Sequence, residues 1–151
     1  MELVKVNKEK ARRVYKLNNC YKKVWHYIDE EWLEWHVDVL NNIMPGYVQS
    51  HGIEDSSMYI CFNIIPGTPA NTFEHTPEFI DKIYNFCVSN IKETEPYAHG
   101  DWVLSNIIID GDNMYMVDWD NVGIYNPKEV LTKLKSDLKS AFGDKFDTAS
   151  I

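Results

Sequence analysis

PYAHGDWVLSNIIIDGDNMYMVDWDNVG, residues 96–123, is the stretch on which the fold prediction depends. Within it, Ile107–Ile109 is apolar and β-branched, which is typical of a strand. The composition of Asp110–Asn113 predicts a turn, and Met114–Val117 is predicted to return as a second strand. The stretch is therefore predicted to form a β-hairpin, and a tight hairpin brings its two outer ends together.

Polar residues lie at both outer ends of this predicted hairpin. His99–Asp101 (H-G-D) and, five residues after Asp101, Asn106 precede the hairpin, and Asp118–Asp120 (D-W-D) follows it. We expect Asp101, Asn106 and Asp118 to lie close enough for their side-chain oxygens to converge. Carboxylate and amide oxygens suit Mg²⁺, which usually takes one or two carboxylates plus substrate phosphates. The sequence therefore predicts a Mg²⁺ site at the base of the hairpin.

The pattern of H-G-D followed by D-W-D resembles the catalytic centre of the kinase-like phosphotransferases. It is most similar to the branch of the aminoglycoside phosphotransferases and choline kinases, since the protein kinases proper read H-R-D and D-F-G. The resemblance implies that Asp101 is the catalytic base, which orients the acceptor hydroxyl. It also implies that Asn106 holds a metal ion and that Asp118 holds the Mg²⁺ that bridges the nucleotide phosphates.

The remaining motif residues have supporting roles by the same resemblance. His99 would brace the loop by hydrogen bonds, and Gly100 would be a structural part of the motif. Asp120 lies where this branch often has a second acid, whose role stays open. The alternative for Asp101 and Asp118 is that they are turn or capping residues. Polar residues on loops beside a rigid scaffold are more often functional, which favours the catalytic interpretation.

The composition is that of a globular protein with an acidic charge balance. The 151 residues are enough for one domain, and 44% of them are hydrophobic and 25% charged. A net charge of −8 argues against a nucleic-acid partner or an anionic membrane. The sequence contains no apolar run that would cross a bilayer and no secretory signal. Three widely spaced cysteines fit neither a disulfide framework nor a zinc site, so we expect a reducing, cytoplasmic location.

The fold class implied by the resemblance is α+β, a protein-kinase-like fold of two lobes in a minimal form. A single kinase-like domain would occupy residues 1–151. Its N-terminal lobe, 1–65, would contain a small antiparallel sheet with one helix. Its reduced helical C-terminal lobe, 66–151, would carry the catalytic-loop hairpin. Kinase-like folds are usually longer, so we expect both lobes to be truncated.

Three short strands are predicted near the N-terminus. They are Leu3–Val6, Arg12–Leu17 and Tyr21–Ile28, with a turn at Asn18-Asn19. The segment Asn7–Ala11 contains no glycine, whereas the larger kinases have a Gly-rich loop here that covers the phosphates with backbone N–H groups. We therefore expect nucleotide binding without tight clamping by such a loop.

Two adjacent lysines, Lys22 and Lys23, fall in the third predicted strand. Side chains alternate between the faces of a strand, so one lysine is expected to face the cleft and the nucleotide phosphates. Lys23 is followed by an aliphatic and an aromatic residue and resembles the strand lysine of the family, which implies that it binds phosphate as a point charge. The alternative is that both lysines are solvated charges on an edge strand.

The first helix is predicted over residues 29–43, with Asp29 as its N-cap. The resemblance expects a glutamate in this helix that pairs with Lys23 and so contributes to the nucleotide site. Glu34 is our choice for this residue, and Glu31 is the alternate. A solvated acid on the surface of the helix is an equally good interpretation of Glu34.

The next segment is predicted to contain two strands. Tyr47–His51 is the first, Gly52–Ser57 is a polar turn, and Met58–Ile65 is a strongly apolar strand. This strand runs into Pro-Gly and resembles the hinge of the family, where backbone groups bind the adenine. The nucleotide pocket would then be lined by Phe62, Asn63, Ile64 and Ile65. The alternative is a buried central strand that is closed by a Pro-Gly turn.

Two more helices are predicted in the C-terminal lobe. After a linker, Pro69–His75, Thr76 caps the first of them, which would lie beneath the catalytic loop. The second runs over Pro127–Phe142 after a turn that begins at Ile124. The polar tail, 143–151, is predicted to be loose.

Two functions are compatible with these residues. The first is an ATP- and Mg²⁺-dependent phosphotransferase, which moves the γ-phosphoryl group to a hydroxyl of a small molecule or a protein. The second is a catalytically weak or inactive nucleotide-binding pseudokinase that acts as an interaction module. The missing glycines favour the second, and the intact metal and base residues favour the first. Exposed tryptophans would favour a homodimer, and the candidates are Trp25, Trp32 and Trp35.

Overall fold

The computed structural model describes residues 2–8 and 11–148. The chain divides into two compact units, Met1–Ile64 and Ile65–Ile151. The first is built on a sheet and the second contains most of the helical residues, which is the α+β composition that the sequence predicts. Within the described residues, we find no helix that is both long and apolar enough to span a membrane.

The first unit is built on a five-stranded antiparallel sheet. Its strands are β1 (Glu2–Asn7), β2 (Arg12–Lys16), β3 (Cys20–Trp25), β4 (Val48–Glu54) and β5 (Ser57–Asn63). Their spatial order is β1-β2-β3-β5-β4, which places β3 in the centre. The prediction of a small antiparallel sheet is confirmed. The interpretation of Lys22 and Lys23 as charges on an edge strand is wrong.

Two strands end earlier than predicted. β3 stops at Trp25, which is opposite Arg12, the first residue of β2. β5 stops at Asn63, which is opposite Cys20, the first residue of β3. The pairing of strands does not continue beyond these residues, although the N–H of His26 still donates to the carbonyl of Ala11 at 2.9 Å. The predicted extensions to Ile28 and Ile65 are therefore not part of the sheet.

β4, in contrast, is longer than predicted. Its pairing with β5 continues to Glu54, which is opposite Ser57, so only two residues remain for the turn that was expected over 52–57. Asp55 in this turn has a φ of 54°, a left-handed conformation that aspartate adopts more readily than most residues. β4 is an edge strand with mostly polar, exposed side chains, which explains why part of it was predicted as a turn.

One helix, α1 (Glu30–Ile43), packs against this sheet. The side chain of Asp29 accepts a hydrogen bond of 3.1 Å from the N–H of Trp32, which confirms the predicted N-cap. The buried residues of α1 are Leu33, His36, Val37, Val39 and Leu40. Trp25 lies 5.4 Å from Trp32 between ring centroids and is only 2% exposed. The expectation that Trp25 offers surface for a dimer is therefore wrong, whereas Trp35 is 39% exposed.

The second unit combines helices with short strands. Its helices are α2 (Pro77–Thr94), α3 (Pro127–Phe142) and α4 (Asp144–Thr148). Its strands within the described residues are β6 (Thr68–Pro69), β7 (Tyr97–Ala98), β8 (Ile107–Asp110), β9 (Asn113–Met116) and β10 (Gly123–Ile124). Thr76 caps α2 by accepting from the N–H of Phe79, and Asn126 caps α3 by accepting from the N–H of Lys128. Both predicted helices are confirmed.

The first part of the predicted linker, Pro69–His75, has regular secondary structure. β6 pairs antiparallel with β8, and a 3₁₀ turn, Ala70–Thr72, follows it. Gly67 precedes β6 with a φ of 133°, and a Cβ at this position would lie 2.5 Å from the carbonyl oxygen of Ile109. Only glycine allows this close approach. The pairing was not predictable because a strand of two residues has no periodicity.

Two further elements differ from the predictions. Gly123–Ile124, expected to lead into a turn, pairs with β7 as a two-stranded sheet. Asp144–Thr148 forms a short helix in the tail that was predicted to be loose. The last part of that tail, residues 149–151, lies outside the described residues, as do residues 9–10 of the glycine-free segment.

Candidate active site

The predicted hairpin of residues 107–117 is confirmed. Ile107 pairs with Met116 and Asp110 with Asn113, so two residues form the turn. Gly111 takes the first turn position with a φ of 60°, which hairpin turns of types I′ and II′ require. At the end of the hairpin opposite the turn, the N–H of Val117 donates a hydrogen bond to the carbonyl of Asn106 at 2.8 Å. Asn106 therefore lies beside the backbone that leads directly into the D-W-D motif.

The loop before the hairpin brings Asp101 and Asn106 together. The amide nitrogen of Asn106 donates to the carboxylate Oδ2 of Asp101 at 3.3 Å and to its backbone carbonyl at 3.2 Å. Asn106 is buried, which holds its side chain in place. Because its amide nitrogen is turned to Asp101, its amide oxygen is the atom that a cation would contact.

His99 connects the two polar clusters. Its Nε2 lies 2.7 Å from the carbonyl of Val117 and therefore donates to it, while its Nδ1 accepts from the N–H of Asp101 at 3.1 Å. The two bonds together require the neutral tautomer with the proton on Nε2. His99 is fully buried, and its ring lies 4.7 Å from that of Trp119 between centroids. These are the hydrogen bonds that a bracing role needs.

Each of the two motifs contains one residue in a left-handed backbone conformation. Asp118 has a φ of 61° and Gly100 a φ of 85°. A Cβ on Gly100 would lie 2.8 Å from the carbonyl oxygen of Asn121 and 2.9 Å from the hydroxyl of Tyr125, so the position requires glycine. A non-glycine residue at positive φ is uncommon and clusters at functional sites. Asp118 is such a residue, and it is half-buried, as is Asp120.

A further carboxylate, which the sequence did not reveal, anchors the loop from α3. Oδ2 of Asp137 accepts from the N–H of Trp102 at 3.1 Å, next to Asp101 in the chain. Its Oδ1 accepts from Nζ of Lys133 at 2.6 Å. Asp137 lies 35 residues after Trp102 on a helix rich in polar residues, so no local pattern distinguishes it from a surface acid.

In the first unit, the two adjacent lysines have opposite surroundings. Lys23 is buried, with 7% of its surface exposed, and its Nζ lies 5.3 Å from the centroid of the Phe62 ring. Lys22 is 2.9 Å from Glu54 and 4.6 Å from the centroid of Tyr59. The hydrogen bond to Glu54 raises the pKa of Lys22, and partial burial opposes this. The two lysine side chains therefore lie on opposite faces of β3, as predicted, and Lys23 is on the buried face.

The predicted glutamate partner of Lys23 is on α1. Glu34 and its alternate Glu31 are both exposed, while the buried side of this helix carries His36. His36 stacks on Trp32 with 4.6 Å between ring centroids. The pairing of Glu34 with Lys23 stays a prediction.

The predicted hinge residues lie at the end of β5. Phe62 is buried against Tyr47, with 4.8 Å between ring centroids. The amide of Asn63 donates to the carbonyl of Gly46 at 2.6 Å and accepts from Gln49 at 3.1 Å. The boundary between the two compact units falls between Ile64 and Ile65 in the sequence. The role of all four residues in nucleotide binding stays a prediction.

A cavity of about 290 Å³ lies beside the loop that carries Asp101, in the second unit. Its walls include Gly100 and Trp102, the two neighbours of Asp101, together with residues of α3. The complete lining is Ala98, Gly100, Trp102, Tyr125, Glu129, Val130 and Lys133. Within the described residues, no group of three or more His, Cys, Asp or Glu side chains is arranged to hold a metal ion. The predicted Mg²⁺ ligands, one amide and one carboxylate, are a smaller set that substrate phosphates would complete.

Comparison with known proteins shows the fold of this chain. No protein-family model and no curated protein sequence matches it. The chain nevertheless has the kinase-like fold found in the aminoglycoside phosphotransferases.

Particular structures share this fold along most of the chain. It resembles APH(3'')-Id, an aminoglycoside phosphotransferase from Streptomyces rimosus, with a TM-score of 0.63 and 15% identity over 95% of this chain and 79% of that one. It also resembles the bifunctional kinase-methyltransferase WbdD, with a TM-score of 0.63 and 16% identity over 87% of this chain. A complex of WbdD with the kinase inhibitor LY294002 gives a TM-score of 0.65 at 15% identity over 94% of this chain. The chain spans only 35% and 37% of the length of these two WbdD chains.

Proposed function

We propose that this chain is a phosphotransferase that moves the γ-phosphoryl group of ATP, or of another nucleoside triphosphate, to a hydroxyl acceptor with the help of Mg²⁺. The observation that carries the proposal is the arrangement around His99. One buried ring binds the backbone of Asp101 on one side and that of Val117, next to Asp118, on the other. A scaffold without chemistry has no need to fix both acids in this way.

The residues of the second unit would divide the work between them. Asp101 would accept the proton of the acceptor hydroxyl and orient its oxygen, held by the amide of Asn106. The amide oxygen of Asn106 and the carboxylate of Asp118 are hard oxygen donors and fit Mg²⁺. The ion would neutralise the charge on the transferring phosphate. The role of Asp120 stays open.

The first unit would supply positive charge and most of the nucleotide pocket. Lys23, on the buried side of β3, would neutralise phosphate oxygens as a point charge. Phe62, Asn63, Ile64 and Ile65 would line the base pocket. The fold supports this assignment, since WbdD with the same fold was crystallised with a kinase inhibitor.

The acceptor would be a small alcohol, a sugar, an aminoglycoside-like compound or a protein side chain. The name of APH(3'')-Id says that it acts on aminoglycosides, and WbdD is described as a kinase. The second candidate function is the nucleotide-binding pseudokinase. The glycine-free segment Asn7–Ala11 favours it, because a loop that clamps phosphates with backbone N–H groups usually contains glycines.

Calorimetric titration with ATP, with and without Mg²⁺, tests the metal site first. We expect the wild type to bind ATP with Mg²⁺, and we expect Asp118→Asn to lose the Mg²⁺-dependent part of that affinity. Asparagine also tolerates the left-handed backbone at this position, so the change removes charge without adding strain.

Asp112→Asn is the matched control, because Asp112 is an exposed carboxylate in the turn of the same hairpin. Its Mg²⁺-dependent binding should equal that of the wild type. Equal binding by Asp118→Asn would remove the metal assignment. Binding by the wild type without phosphoryl transfer to any hydroxyl compound would favour the pseudokinase.

A further inference from the structure

The buried polar residues of the first unit include two cations on neighbouring strands. Arg12 is 3% exposed on β2, and Lys23 is 7% exposed on β3. Lys23 is directly opposite Val14, and Arg12 lies two residues before Val14 on the same strand. Directly opposed residues and alternate residues share a face of a sheet. Arg12 and Lys23 are therefore diagonal neighbours on one face, at a distance that long side chains easily span.

The other buried side chains of this face are apolar. Next to the two cations it carries buried side chains from β2, β3 and β5, namely Val14, Trp25, Met58, Ile60 and Phe62. Charges in such surroundings are poorly hydrated, so they interact strongly with an anion that reaches them. Both cations also interact with other groups of the protein, and an incoming anion would add to or replace those contacts.

Arg12 also has a particular place in the chain. It is the first residue of β2 and follows directly on Asn7–Ala11, the segment without glycine where the resemblance expects the phosphate-binding loop. Its neighbour Arg13 is exposed and lies on the opposite face, opposite Val24. The chain therefore places one arginine among the buried residues and the next one in solvent.

We infer that Arg12 and Lys23 together form one anion subsite for the phosphate chain of the nucleotide, with Arg12 supplying the contacts that a Gly-rich loop would otherwise make. The inference rests on the proposed function for the identity of the ligand. A guanidinium binds two phosphate oxygens with a rigid pair of N–H donors, whereas a lysine ammonium acts as a point charge. Arg12 and Lys23 would thus bind a diphosphate or triphosphate and would not contribute to the binding of an uncharged nucleoside.

Calorimetric titrations of Arg12→Gln and Arg13→Gln with ATP and with adenosine test the subsite. Arg12→Gln should bind ATP at least about tenfold more weakly than the wild type, which is the usual effect of losing a charge-assisted hydrogen bond. Its affinity for adenosine should be unchanged. Arg13→Gln makes the same change of charge on the other face and should bind both ligands as the wild type does.

Equal ATP affinities for Arg12→Gln and the wild type would overturn the inference while leaving the proposed function intact. A wild type that does not bind ATP would contradict the proposed function instead. Titration with inorganic tripolyphosphate then tests the subsite by itself: binding that Arg12→Gln loses supports it, and no binding by the wild type overturns it. If Arg12→Gln does not fold, Arg12→Lys replaces it, because it keeps the charge and loses the paired donors. That variant should bind ATP more weakly than the wild type, and equal binding would contradict the inference.

Discussion

The sheet of the first unit and the loop of the second hold their polar residues in two different ways. Arg12 and Lys23 are positioned by strand register and by burial among apolar side chains. Asp101 and Asn106 are positioned by individual hydrogen bonds between side chains and the backbone. The register of a strand determines on which face of the sheet a side chain lies. Hydrogen bonds, in contrast, determine the positions of individual side-chain atoms.

The difference explains why the loop could be identified from its sequence and the arginine could not. In the loop, each motif position demands one residue type. His99 uses both ring nitrogens, and Gly100 leaves no room for a Cβ. In the sheet, the register of β2 and burial place Arg12. No local pattern in the sequence marks this arginine as different from its exposed neighbour Arg13.

Asp101→Asn tests the loop with the largest expected effect. The change keeps the shape of the side chain and an oxygen that can accept from Asn106, but it removes the proton acceptor. We expect nucleotide binding within about twofold of the wild type and a rate of transfer reduced by about 10²–10⁴-fold. Single-turnover transfer and calorimetry on the same preparation would measure the two separately. Loss of binding or of folding would show that Asp101 has a structural role.

Asp137→Ala should have an intermediate effect, on stability. The variant leaves the N–H of Trp102 without its acceptor on α3 and should lower the free energy of unfolding by about 1–3 kcal/mol. Lys133→Ala is the control, because it removes only the ion pair of Lys133 with Asp137, which is worth about 0.3–0.5 kcal/mol on a helix surface. Urea denaturation of both variants measures the difference. If both variants lose the same free energy of unfolding, the hydrogen bond from Trp102 to Asp137 contributes nothing to stability. The idea that single hydrogen bonds hold the loop would then be contradicted.

Much of the fold followed from the sequence. The hairpin, the three long helices with the N-caps of the first two, and the first three strands were predicted from periodicity and turn residues. The short pairings of β6 with β8 and of β7 with β10 were not. Each contains two residues, and it forms only because the rest of the unit brings the segments together.

The candidate site followed from the sequence only in part. The proximity of Asp101 and Asn106 was predicted. Both residues lie in the short loop before the hairpin, so local sequence is enough to bring them together. The anchoring by Asp137 depends on how α3 packs against a loop 35 residues away, which no local pattern encodes. Arg12 likewise lies in a pairing that forms later in the chain, opposite Trp25 on β3.

The smallest effect is expected at the surface of the sheet. The pair of Lys22 with Glu54 is partly exposed, with 20% and 58% of the side-chain surfaces accessible, so it should contribute only about 0.2–1 kcal/mol at neutral pH. Glu54 raises the pKa of Lys22 above its ordinary value of 10.5. Below that value both the folded and the unfolded chain hold the proton, and the contribution is complete. At higher pH the unfolded chain loses the proton first, so the contribution falls and disappears as the pH passes the folded pKa.

Denaturation of the wild type and Glu54→Gln between pH 8 and pH 11 would measure this contribution as the difference between the two. The difference should be small at pH 8 and decrease above the ordinary pKa of lysine, because only the wild type has the raised pKa. A difference at pH 8 as large as that of Asp137→Ala would contradict the comparison. It would mean that the sheet, like the loop, depends on single polar contacts rather than on register and burial.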